Sequence, residues 1–154
     1  MSMLRIILLL FFSFNVQALE LVETEELITI YRTGETLEDV KFELEMAITN
    51  KGFTLNDALH ISDMLQRTGK DLGISEPVYI ESETLSFCSA ILTHKFAQSH
   101  PAYMVLCPLT LSIYTTAAEP DETYVAFRKP MLNDETLSQT IENTFNSIIH
   151  DALD

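Results

Sequence analysis

The chain has 154 residues, 47% of them apolar, with 9 Lys plus Arg against 23 Asp plus Glu. The apolar content argues against a disordered chain. The net charge of −14 argues against affinity for nucleic acid or an anionic membrane surface, since both rest on cationic contacts.

Residues Met1 to Ala18 read as an export signal. Arg5 gives the positive start, Ile6 to Phe12 an unbroken apolar run, and Val16-Gln17-Ala18 the small residues of a cleavage site. The run is far short of the ~20 residues of a spanning helix. No Cys follows Ala18 to carry a lipid. The expectation is an exported protein, periplasmic or secreted, with no membrane anchor after leader removal. One domain then spans 19–154. Without Arg5, 8 cations face 23 acids, a net of −15. The acids are scattered and show no calcium-loop spacing.

Leu27 to Arg32 alternates weakly and reads as a first strand. Thr36 followed by Asp39 starts a helix, with Leu37, Val40, Leu44, Ala47 and Ile48 as its apolar stripe. Gly52 is its left-handed stop, with Phe53 after it. Phe53 to Ile61 reads as a second strand. Ser62 caps a short helix over Asp63 to Leu72, ended by Gly73. Pro77 opens a third strand that ends near Phe87, and a third helix covers about Ser89 to Gln98, with Ile91 and Leu92 facing inward.

Tyr103 to Thr116 gives the strongest strand signal, with Tyr103, Val105, Cys107, Leu109, Leu111 and Ile113 on one face. Pro108 cannot donate to a ladder, so this strand is at an edge or bulged there. The turn Glu119 to Glu122 leads to a return strand, Thr123 to Arg128. Asn133 or Asp134 caps a last helix that buries Leu137, Ile141, Phe145, Ile148 and Ile149. The order β-α-β-α-β-α-β-β-α predicts an α/β fold of the α+β type: a two-layer sandwich with helices packed on a mixed β-sheet.

No phosphate-cradling glycine loop, Gly-x-Ser-x-Gly, His-Glu-x-x-His or Cys-x-x-Cys is present. The residues therefore name no reaction. They favour a binding or accessory module over an enzyme, and leave the latter open. The two cysteines are the best candidates. Cys88 falls where a strand gives way to a helix, a place that favours a thiolate. Cys107 precedes Pro108 in the strongest strand. Three readings stand together: a structural Cys88–Cys107 disulfide, as export favours; two buried thiols; and a redox-active or ligand-binding pair. In the redox reading Cys88 is the nucleophile and Cys107 the resolving partner.

The histidines are His60, His94, His100 and His150. A surface or hydrogen-bonded role is the plainer reading of each. No cofactor or metal is expected, although His60 with Cys88 and Cys107 leaves a soft metal or haem-iron site open. The binding site is expected between the start of the Cys88 helix and the Cys107–Pro108 strand, with His60 beside it. A helix N-terminus there suits a small anionic or sulfur-containing ligand.

Phe87-Cys88-Ser89-Ala90, a helix, Val105-Leu106-Cys107-Pro108-Leu109, Ser112-Ile113-Tyr114, a turn, and Tyr124-Val125-Ala126-Phe127-Arg128-Lys129-Pro130 together resemble the bacterial family "domain of unknown function 302". The resemblance spans roughly Leu27 to Pro130. Cys at 88 and Cys-Pro at 107–108 resemble its cysteine-bearing branch. Ser89-Ala90 departs from the Asn-Pro that the family commonly places there. The resemblance implies a compact α/β sandwich, a homodimer, and frequent export. It implies a link of some members to sulfur-compound metabolism, and no settled activity. A further reading, from the residues, is an interaction protein whose edge strand pairs two copies.

Overall fold

The computed structural model describes residues 19–24 and 27–154. The expected leader, Met1 to Ala18, lies outside them. The first helix, α1 (Leu37–Asn50), forms as its sequence dictates. Thr36 accepts from the Asp39 N–H at 3.2 Å and its hydroxyl donates to the Asp39 carboxylate at 2.7 Å. Leu37, Val40, Leu44, Ala47 and Ile48 are all buried. Gly52, at φ +79°, closes the helix: its N–H bonds to the Thr49 carbonyl, and that of Phe53 to the Ile48 carbonyl.

The strands are β1 (Glu20–Thr24), β2 (Ile28–Thr33), β3 (Thr54–Leu55), β4 (Leu59–His60), β5 (Tyr79–Cys88), β6 (Leu109–Thr116) and β7 (Thr123–Arg128). They form one open sheet in the order β1-β2-β7-β6-β5-β3, with β4 also on β5. Helices α1 and α4 (Glu135–Leu153) supply one layer of the core and the sheet the other. The α+β sandwich is therefore as expected in its layers. The expected mixed sheet is not: every pairing is antiparallel. The reason lies in the connections. The α1 crossover takes the chain from β2 to the far end of the sheet, so β2 and β3 run the same way without touching. Helix α3 (Ala90–Ser99) and a 3-10 helix (Pro101–Leu106) bring it back as the antiparallel neighbour of β5.

One face of the sheet buries Tyr31, Leu85, Phe87, Leu109, Leu111, Ile113, Val125 and Phe127 against α1, α3 and α4. Phe87 sits among rings, 5.4 Å from Phe53 and 6.0 Å from Phe145. Helix α4 buries the five predicted residues and Leu153.

Several elements differ from their sequence reading. Strand β1 extends the sheet beyond the predicted first strand. The run from Phe53 to Ile61 is two short strands. Their register on β5 shifts by one residue between Leu55↔Phe87 and Leu59↔Thr84, so Leu59 turns to the open face. Helix α2 (Ile61–Gly69) begins two residues early, with His60 rather than Ser62 at its N-cap. It also ends early, at Gly69 rather than Leu72; Gly73, φ +73°, closes the separate turn that follows, its N–H bonding to the Lys70 carbonyl. Ile91 points outward from α3, whereas Leu92 and Phe96 are buried. The strand expected from Tyr103 starts only at Leu109. Pro101 suits the first position of a helix, and His100 Nδ1 accepts from the Ala102 N–H at 3.1 Å, so 101–106 coil instead. Val105 is consequently 83% exposed. Pro108, without a donor, stands just before the ladder begins.

Candidate functional site

The cysteine site forms where two connections meet. Cys88 is the last residue of β5, and Ser89 caps α3 by accepting from the Leu92 N–H at 3.4 Å. Cys107 follows the 3-10 helix and is not a core-facing strand residue as expected; it lies half-buried in the joint before β6. The two cysteines, 19 apart in sequence, are at disulfide distance, with Cα atoms 6.2 Å apart. The Thr93 hydroxyl donates to Cys107 Sγ at 3.6 Å. Pro108 is exposed, and its peptide bond with Cys107 is cis. The joint thus ties the end of β5 to the start of β6 around α3.

His60 does not join this pair. It lies opposite Glu83 on β5, while Cys88 lies opposite Thr54. The five-residue offset along β5 is roughly 16 Å at 3.3 Å per residue. His60 Nδ1 is instead 3.1 Å from Glu83 Oε1, and Lys41 Nζ is 2.6 Å from Oε2 of the same carboxylate. His94 is exposed. His100 packs 5.4 Å from the Tyr103 ring. His150 contacts Asp154 at 2.6 Å in the last turn of α4. Among the described residues, no group of three or more His, Cys, Asp or Glu is placed to hold a metal ion.

A second candidate place lies elsewhere, and the sequence reading missed it. A cleft of about 800 Å³ opens between α2 and the segment from Leu72 to Tyr79. That is within the ~300–1,000 Å³ of small-molecule sites. Leu65, Leu72, Ile74 and Val78 line it, and are 44, 71, 57 and 67% exposed. Arg67 and Lys70 also line it, as do Asp63 and Glu76. Neither cation is engaged: the ion pairs of the described residues use Arg32, Lys41, Lys51, His60 and His150. The local cause is a tether. Ser62 Oγ accepts from the Ser82 N–H at 3.1 Å and donates to its carbonyl at 3.4 Å, carrying the β4 ladder into α2. The helix is held at the sheet edge by its first turn, and its apolar side stays unfilled. The available signal was Leu72, Ile74, Val78 and Ile80, four large apolar residues around a stretch without a core role.

Residues 30–152 match the family model "Domain of unknown function DUF302". The chain belongs to the DUF302 family. A crystal structure of an uncharacterized conserved DUF302 protein from Bacillus stearothermophilus shares the fold. Its TM-score is 0.66 at 17% identity, covering 83% of this chain and 99% of that one. No curated protein matches the chain. The DUF302 match takes in both the cysteine joint and the α2 cleft. They stand toward opposite ends of β5: Ser62 of the cleft bonds Ser82, roughly 20 Å from Cys88 at 3.3 Å per residue. Among the described residues, no helix is long and apolar enough to cross a membrane.

Proposed function

We propose that this DUF302 domain is an exported binding module. Its α2 cleft takes a small, largely apolar molecule with an anionic end group, and the Cys88–Cys107 pair acts apart from the ligand. The order of charge, apolar run and small residues in Met1 to Ala18 supports export. One observation carries the ligand class: an apolar cleft with two unengaged cations on its wall, Arg67 and Lys70, in a strongly acidic chain. Asp63 and Glu76 share the wall, so the cations act locally. Charges farther off are screened beyond about 8–10 Å at physiological salt. Apolar burial supplies affinity at about 25 cal/mol per Å², and the cations set orientation.

Titration with 8-anilinonaphthalene-1-sulfonate, an aromatic body with one sulfonate, tests this reading. Saturable binding with one site is expected. Leu72→Glu should abolish it, and Arg67→Glu with Lys70→Glu should weaken it about tenfold or more. Binding that both variants leave unchanged contradicts the cleft assignment.

A further inference from the structure

We propose that Cys88–Cys107 is an exchangeable disulfide that an incoming thiolate attacks at Cys88, with Thr93 as the positioning residue that receives the departing Cys107 sulfur. This inference is independent of the cleft reading. It concerns the other end of β5, and its test reads only the sulfurs.

The asymmetry of the pair carries the argument. The two sulfurs belong to different elements, one ending β5 and the other following the 3-10 helix. Thr93 makes the only side-chain hydrogen bond to either sulfur among the described residues, and it goes to Cys107 Sγ, at 3.6 Å. To a disulfide sulfur that bond is weak. To a thiolate it becomes charge-assisted and stronger. Thiol–disulfide exchange runs faster when the leaving thiolate is stabilised, so the fixed hydroxyl makes Cys107 the better leaving group and Cys88 the sulfur attacked. Thr93 is itself positioned by α3, where its N–H bonds to the Ser89 carbonyl at 2.8 Å. Both cysteines are half-buried rather than sealed in the core, which gives a small thiol a path.

The step balances with a thiol as the named reductant. A thiolate bonds to Cys88 Sγ as the Cys88–Cys107 bond breaks, and the electron pair leaves on Cys107 Sγ, facing the Thr93 O–H. A second thiolate then attacks the mixed disulfide and releases Cys88. Two external thiols become one disulfide, and their two protons pass to the two cysteines. In reverse, Cys107 is the resolving thiol, and Thr93 holds it in place for that attack.

Glutathione is the probe. The oxidised protein is exposed to it briefly, quenched in acid, alkylated and mapped by peptide mass. The mixed disulfide is expected on Cys88 and the alkyl group on Cys107, in at least about fivefold excess over the opposite pattern. Thr93→Val should slow reduction about tenfold, the equivalent of a lost hydrogen bond of ~1.4 kcal/mol to a charged group. Thr93→Ser should restore it. A merely structural Thr93 would alter thermal stability without changing which sulfur is attacked. Equal labelling, preferential glutathionylation of Cys107, wild-type reduction of Thr93→Val, or resistance of the native protein to glutathione overturns the proposal. If Thr93→Val does not fold, the distribution in the unaltered protein decides alone.

Discussion

Asp134 joins two helices through a single carboxylate. Oδ1 accepts from the Leu137 N–H at 3.0 Å and caps α4, and Oδ2 accepts from the Ser99 hydroxyl at 2.6 Å at the end of α3. The Ser99 bond, then the backbone bond to Leu137, hold this carboxyl below its ordinary value. A group with a depressed folded pKa stabilises the fold above the unfolded pKa, about 3.9 for Asp, and that contribution is lost as pH falls through the folded pKa. Asp134→Asn keeps a capping oxygen but removes the titration. The thermal midpoint of the variant should fall less between pH 6 and pH 3 than that of the unaltered protein; superimposable profiles would contradict this.

The elements show where sequence suffices and where it does not. Helix α1 was legible to the residue because its cap, stripe and glycine stop are all local and agree with one another. Helix α4 was legible from its cap and apolar stripe. The stretch from Tyr103 to Leu106 misled because its alternation competes with Pro101, which sets up a 3-10 turn, and with Pro108, which interrupts the ladder. Both cysteines were legible as a candidate pair, but His60 was not separable from them, since which stretch of β5 a two-residue strand pairs with is set by the fold and not by any local signal. The α2 cleft was invisible because a cavity depends on what fails to fill it. Its tether is testable. Ser62→Ala leaves the buried Ser82 N–H without its partner, at a cost of about 1–3 kcal/mol. Amide exchange should accelerate at Ser82 and through α2 more than in α1 or α4. Unchanged exchange in α2 would show that Ser62 does not hold the helix.

Across the whole molecule, the sheet connects the cysteine joint to the α2 cleft. At one end the cysteine pair closes the connection that carries α3. Loop closure of this length contributes on the order of 3 kcal/mol. Replacing both cysteines by Ser should therefore lower the thermal midpoint by roughly 10 °C, while ligand binding at the other end persists. A midpoint that does not move would mean that the pair contributes nothing to the fold.

The most direct test is methyl chemical-shift mapping during titration with 8-anilinonaphthalene-1-sulfonate. Shifts confined to Leu65, Leu72, Ile74 and Val78, saturating together, are the predicted result. Shifts centred on Ile91, Leu92 and Leu109 around the cysteine joint, or no saturable shifts at all, would contradict the account.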